Sequence, residues 1–269
     1  MKVVDFRFFY LFCSLLVNPL EGERVLNLDN FKLKFDRCDS YWSRLISKHF
    51  KYELEIENWL RGNLSPDVFF IDCGANIGYW SLFVSKVLNV KRFLAIEPNP
   101  HIFRILKDNF RLNDLPPSAL QAVVGEFDTE ESTVDLFVNT SPGKHVGASI
   151  FMENNATSET FQVPVFDLSE LFNSEIKTNQ RFVLKLDVEG AEISCLRLIP
   201  SSLNSRVQII YEDHGRDRNC LTTKWLLDSN SYQIFFLKPY GFIEIESIQT
   251  LVSLKKSRTK GYNLVAIPK

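Results

Sequence analysis

From residue 68 onward, short continuous apolar runs alternate with longer amphipathic stretches. VFFIDC at 68–73 has the length and composition of a buried strand, and it runs straight into a glycine-bearing turn, GANIG, at 74–78. Residues 79–88 then place Trp80, Phe83, Val84, Val87 and Leu88 at helical spacing. RFLAI at 92–96 predicts a second strand. Asn99 is a good N-cap and Pro100 suits the first helical position, so HIFRILKDNFRLN predicts a helix burying Ile102, Ile105, Leu106 and Phe110. Further strands are predicted at 120–124, 133–138, 182–186 and 207–211, with helices around 193–198 and 222–228. The tail reads as three strands, YQIFFL, FIEIE and YNLVAI.

Upstream, residues 21–67 mix charge with aromatics. YELEIENWLRG, from Tyr52, predicts a helix with Ile56, Trp59 and Leu60 on one face, Gly62 as its stop and Ser65-Pro66-Asp67 as the following turn. The region reads as a lid or cap. Residues 139–160 are polar and predict a long loop beside the site, where Ser149 and His145 are candidate substrate contacts or ordinary solvated residues. Residues 8–17, FFYLFCSLLV, are too short to span a bilayer. They read as a strand or docking segment, the alternative being a signal or membrane anchor. No stable membrane insertion is expected.

Alternating strands and helices imply an α/β fold with a mainly parallel sheet covered on both faces. Ligands of such sheets sit at the carboxyl ends of the strands. Asp72, Glu97, Asp187 and Glu212 all fall at or just past predicted strand ends.

Bulk composition narrows the picture. The chain has 269 residues, is 45% hydrophobic and carries a net charge of −2. That suits one large domain or a domain with an extension, and it provides no electrostatic reason to expect a nucleic-acid partner. The five cysteines, at 13, 38, 73, 195 and 220, form no CxxC pair or metal-ligand spacing. Buried free thiols and a reducing, cytoplasmic setting are expected. The glycosylation triplets at Asn63 and Asn155 carry little weight without a secretory route.

The chemistry concentrates in two blocks. In Asp72-Cys-Gly74-Ala-Asn76-Ile-Gly78 the glycines allow a sharp turn and close approach of a ligand. The spacing departs from the Gly-x-Gly-x-x-Gly of dinucleotide sites. An Asp ahead of the turn suits a cationic ligand better than a pyrophosphate. Glu97, 19 residues after Gly78, is placed to accept hydrogen bonds from ribose hydroxyls. An NAD-dependent oxidoreductase and a catalytically silent cofactor-binding scaffold are the competing readings. In the second block, LKLDVEGAE, the residues Lys185, Asp187 and Glu189 share one side of an extended strand. The plain alternative is a Lys185–Asp187 ion pair with Glu192 as a helix-start acid. YEDHG adds Glu212 and His214. His214 or Asp187 is the expected general base, with Glu189 and Glu212 orienting acceptor hydroxyls. These four side chains offer oxygen and imidazole donors, but carboxylates one residue apart do not by themselves make a ligand set, and no metal is expected.

IDCGANIGYWSLFVSK, AIEPNPHIFRILKDNFRLN and VLKLDVEGAEISCL together resemble the FkbM family within the class I S-adenosylmethionine-dependent methyltransferases. The resemblance covers roughly residues 50–267. It implies a Rossmann-like, seven-stranded, mostly parallel sheet with helices on both faces and an antiparallel last strand. Residues 1–67 would then form an N-terminal extension and cap, and 68–269 the methyltransferase domain. It also implies S-adenosylmethionine as cofactor and O-methylation of a sugar, glycan or polyketide-type hydroxyl on a small-molecule or glycan acceptor. By position, Asp72, Gly74, Asn76 and Gly78 would hold the methionine part of the cofactor and Glu97 the ribose. Asn99 joins them as a candidate cofactor-binding residue. The acid often met near the adenine has no clear counterpart; Glu126 and Asp128 are candidates.

Overall fold

The computed structural model describes residues 22–28, 30–36, 39, 41–47, 51–126, 132–139, 148–149 and 158–269. It opens with an antiparallel hairpin, β1 (Glu23–Leu28) and β2 (Phe31–Asp36). Alternation along FKLKFD buries Phe31, Leu33 and Phe35 and leaves Lys32 and Asp36 exposed. A 3-10 turn at Trp42–Ile46 and helix α1 (Leu54–Asn63) follow. α1 buries Ile56, Trp59 and Leu60, the face read from the sequence, but it runs through Gly62 and stops one residue later.

Next come β3 (Phe69–Cys73), α2 (Tyr79–Lys86), β4 (Arg92–Ile96) and α3 (Pro100–Leu112). The side chain of Asn99 caps α3 by accepting from the amide of His101 at 3.0 Å, and Pro100 opens the helix. Five short strands come after: β5 (Ala119–Leu120), β6 (Val123–Val124), β7 (Thr133–Asn139), β8 (Ala148–Ser149) and β9 (Ser158–Phe166). Helix α4 (Leu168–Glu175) leads to β10 (Phe182–Leu186), α5 (Glu192–Arg197), β11 (Val207–His214) and α6 (Leu221–Asp228). The chain ends with β12 (Tyr232–Lys238), β13 (Gly241–Glu244), α7 (Ile248–Leu254) and β14 (Gly261–Pro268).

The main sheet has the order β13-β12-β14-β11-β10-β3-β4-β5. β5, β4, β3, β10 and β11 are parallel neighbours, and β14 is antiparallel to both β11 and β12. The expected antiparallel last strand is therefore β14. The sheet has eight strands where seven were expected, because β13 folds back on β12 and adds an outer edge. A second correction concerns residues 120–124, predicted as one strand. Ala119 and Leu120 pair with β4, whereas Val123 and Val124 leave the main sheet and pair with Val165 and Phe166 of β9. This small sheet, β6-β9-β7-β8, also takes in both margins of the predicted 139–160 loop and, through β8, residues 148–149 in its middle; the other residues of the loop lie outside those described. The apolar run at 8–17, Cys13, Cys38, Asp128, His145 and Asn155 also lie outside them.

Period-2 alternation sorts the central strands between two cores. Phe70, Val183 and Ile210 face the cap together with α1, α2 and α3. Phe69, Ile71, Phe182, Leu184, Ile209 and Tyr211 face the opposite core, which holds α4 to α7. The same parity directs Asp72, Lys185 and Glu212 toward the cap side. Polar residues on a strand buried on both faces are costly unless they are paired or open into a cleft. Here three neighbouring strands bring theirs to one place.

Candidate functional site

The turn after β3 is built by backbone conformation. Gly74 has φ of 75° and Gly78 of 88°, both left-handed. A Cβ on Gly74 would collide with the carbonyl of Asp187, and one on Gly78 with Leu106. Gly74 therefore lets the ends of β3 and β10 approach closely. Asn76, also left-handed at φ of 51°, accepts hydrogen bonds at Oδ1 from Trp42 Nε1 (3.0 Å) and from the amide of Ile77 (2.9 Å). Its side chain ties the turn to the cap.

Glu97, just past β4, accepts from the amides of Asn76 and Asn99, each at 2.9 Å. Burial pushes its pKa up to about 7, against the lowering effect of those two amides. Each oxygen takes one donor and keeps a free lone pair. Beside it, the side-chain nitrogen of Asn99 is buried with no hydrogen-bond partner. An orphaned donor next to a carboxylate, above a glycine turn, fits a ligand rich in hydroxyl and ring-nitrogen acceptors. Glu97 and the adenosine part of S-adenosylmethionine are chemically matched in this way.

The Asp72 carboxyl lies within the core, and among the described residues its Oδ1 has no hydrogen-bond partner. It is fully buried, accepts from Ser81 Oγ at 2.8 Å and lies 3.5 Å from Lys185 Nζ. Its carboxylate supports the turn from within the core. Of the two candidates for the adenine side, Glu126 lies 3.7 Å from Arg197, both well exposed.

The second cluster forms a cleft lined by Glu53, Ile56, Lys185, Leu186, Asp187, Ile210, Tyr211, Glu212 and Asn263. Lys185 lies opposite Asp72 in the β3–β10 register and reaches Asp72 and Asp187, each at 3.5 Å. Burial opposes its charge, yet Asp187, Asp72 and Glu53 together raise its pKa above the ordinary value. The plain sequence alternative is thus present as geometry: Lys185 does pair with Asp187, and Glu192 does accept from the Gly190 amide at 3.2 Å in the first turn of α5. Pairing leaves the Asp187 side chain one-third exposed, so it still faces the cleft.

Glu212 lines the same cleft from β11. Among the described residues no hydrogen-bond donor reaches its carboxyl; the imidazole of His214 is near, with Nδ1 at 3.8 Å. Burial, then the negative charges of Asp187, Glu53 and Glu189, push its pKa up to about 8. Its carboxyl occupies the space where Gly261 of β14 would carry a Cβ. Glu189 has φ of 50° and an exposed side chain, 3.9 Å from His214 Nε2. Neither Glu189 nor His214 lines the cleft. Ser149 pairs through its backbone with Phe137 in the small sheet.

Sequence reasoning missed three contributors. Glu53, just before α1, enters the cleft from the cap, and burial pushes its pKa up to about 7. Gly261 makes room for Glu212; it was hidden because its partner lies 49 residues away. Lys255 is fully buried and donates to Asp213 and to the carbonyls of His214 (2.9 Å) and Asp217 (2.8 Å), with Cys220 Sγ 3.2 Å away. It pins the end of β11. Among the described residues, no group of three or more His, Cys, Asp or Glu could hold a metal ion, and no helix is long and apolar enough to cross a membrane.

A model of the methyltransferase FkbM domain matches residues 72–237. Methyltransferase 1 of Beauveria bassiana (strain ARSEF 2860) is 26% identical over 193 residues, 64% of this chain and 75% of its own length. Methyltransferase sdnD of Sordaria araneosa is 25% identical over 211 residues, 63% of this chain and 81% of its own. Among solved structures, a methyltransferase FkbM from Methylobacillus flagellatus KT aligns at 18% identity with a TM-score of 0.46. That alignment covers 76% of this chain and 44% of the other, so this chain spans less than half of that protein. The FkbM match takes in the glycine turn, Glu97, the Asp187 block and Glu212, and extends over more than half of the sequence. The chain belongs to the FkbM family of methyltransferases, with S-adenosylmethionine as its methyl donor.

Proposed function

We propose that this protein transfers a methyl group from S-adenosylmethionine to a hydroxyl of a sugar, glycan or polyketide-type acceptor, and that the acceptor occupies the cleft between α1, β10 and β11. The observation that carries this reading is Glu212, a carboxyl in that cleft with no hydrogen-bond donor among the described residues and a pKa pushed up to about 8. A group that gains and loses a proton near neutrality suits general-base work.

On the donor side, Glu97 and Asn99 would hold the adenosine, and the backbone of Gly74, Asn76 and Gly78 the methionine part. Asp72 would act through Lys185 and Ser81 on the shape of the turn. Bound S-adenosylmethionine supplies a methyl on a positively charged sulfur, which departs as a neutral thioether when an oxygen takes the methyl. Glu212 would accept the hydroxyl proton as the acceptor oxygen becomes the nucleophile. Asp187, fixed by Lys185, orients the hydroxyl. His214, which with Asp187 is one of the two bases expected from sequence, stands 3.8 Å from Glu212 and would orient it. Holding acceptor and donor in line supplies much of the rate. The buried thiols of Cys73, Cys195 and Cys220 support a reducing, cytoplasmic setting.

The test is transfer of labelled methyl to a panel of methyl glycosides, phenolic polyketides and amines. We expect label on oxygen, a rate that rises with pH through about 8, and a loss of roughly 100-fold or more in Glu212→Gln. Label found on amine nitrogen, or full activity in Glu212→Gln, would overturn the reading.

A further inference from the structure

We propose that the N-terminal cap supplies a specificity residue to the acceptor site: Glu53 and Glu212 together select an acceptor that offers two uncharged hydroxyls, one to each carboxyl. The inference rests on the methyl-transfer reading above and names its substrate class.

Glu53 is held for this task. Its backbone is left-handed, with φ of 39°, an uncommon conformation for a residue with a long side chain. Trp80 Nε1 donates to its Oε2 at 2.9 Å, which fixes the carboxyl relative to α2, the helix that follows the glycine turn. Among the described residues no second donor reaches Glu53, so Oε1 is left for the cleft. Glu212 faces the same cleft from the sheet, in the space that Gly261 leaves free. Two carboxyls from two different elements thus line one cleft with unused hydrogen-bonding capacity. Ile56 and Ile210, which belong to the core on the cap side, form the apolar part of its wall, suited to the carbon face of a ring.

Charge decides between acceptor classes. Among the described residues Lys185 is the one cation lining the cleft, and Asp72 and Asp187 already share it. A phosphate or carboxylate on the acceptor would meet Glu53, Asp187 and Glu212 with no free cation to pair with. An ammonium group is tolerated by the charges but matches the hydrogen bonding less well. Burial raises both Glu53 and Glu212 toward neutrality, so each is able to carry a proton at physiological pH. A protonated carboxyl both donates and accepts, as a hydroxyl does; an ammonium only donates.

The experiment uses the full chain saturated with S-adenosylhomocysteine and measures by calorimetry and saturation-transfer NMR the binding of three probes: methyl α-glucopyranoside, glucuronate and glucosamine. We expect the neutral glycoside to bind at least tenfold more tightly than the other two. Glu53→Ala should weaken glycoside binding at least tenfold and leave the affinity for S-adenosylhomocysteine within twofold. Glu53→Gln, which keeps the acceptor for Trp80, should fall between, and it carries the comparison if the alanine variant does not fold. Unchanged glycoside binding in these variants overturns the role of Glu53. Tighter binding of glucuronate or glucosamine, or no glycoside binding by a protein that does bind S-adenosylhomocysteine, overturns the substrate class. A failure to bind S-adenosylhomocysteine at all strikes the methyl-transfer reading instead.

Discussion

Gly74 shows how one residue couples the two halves of the site. Its left-handed backbone was legible in the sequence as part of a glycine turn, but its second role was not: a Cβ there would strike the Asp187 carbonyl, 113 residues away. We expect Gly74→Ala to part the ends of β3 and β10, to cost about 1–3 kcal/mol in stability and to weaken S-adenosylhomocysteine binding at least tenfold. Chemical denaturation and calorimetry measure the two effects separately. Lys255 makes the complementary point. In sequence it stands beside Lys256 and Arg258 and reads as a solvated charge, yet its ammonium is enclosed by Asp213, Asp217, His214 and Cys220. Lys255→Met removes one partner of a buried ion pair and should destabilise the protein by about 3–5 kcal/mol, read as a lower denaturation midpoint. No local pattern reports such a residue, because every partner comes from another element.

Elements buried on both faces were the easiest to read. β3, β4, β10 and β11 are short, nearly continuous apolar runs ended by acids or glycine, and the structure places them where the pattern does. The β1–β2 hairpin escaped notice because Lys32 and Lys34 interrupt its apolar positions and its pairing needs a distant helix. Asn109 on α3 and Asn113 at its C-cap, one helical turn apart, take the place of a neighbouring strand. Asn109 accepts from the Lys34 amide at 2.6 Å and donates to its carbonyl at 2.9 Å; Asn113 does the same for Lys32, both at 2.7 Å. Asn109 also donates to the Ile77 carbonyl at 2.8 Å, so the hairpin, α3 and the glycine turn share one network. Asn109→Ala should cost about 1–3 kcal/mol through orphaned backbone groups and increase hydrogen exchange at Lys34 ahead of global unfolding. The split third strand was illegible for a related reason. Residues 119–124 are uniformly strand-like, and only the competing partner β9 decides where the pairing changes sheets.

On the scale of the whole molecule, the fold gathers acids that bind protons more tightly when folded. Burial raises Glu53 and Glu97 to about 7 and Glu212 to about 8, from an ordinary value of 4.5. Their contribution to stability is full below about pH 4.5 and fades as pH rises through about 7 to 8. Surface acids lowered by Lys34 or Arg92, such as Asp108 and Glu175, act in the opposite sense, but exposed pairs contribute little. We expect the melting temperature to fall between about pH 5 and pH 8.5, and Glu97→Gln and Glu212→Gln each to flatten that slope. A melting temperature that rises across this interval would mean that the carboxyls are not enclosed as described.

The same enclosure frames the central claim, that the turn after β3 and Glu97 form a site for S-adenosylmethionine. Calorimetric titration of the full chain with S-adenosylhomocysteine, run beside NAD, tests it most directly. We expect saturable binding of S-adenosylhomocysteine, no binding of NAD, and at least a tenfold loss of affinity in Glu97→Ala with the fold retained. Binding of NAD in place of S-adenosylhomocysteine, or an affinity that Glu97→Ala leaves unchanged, would contradict it.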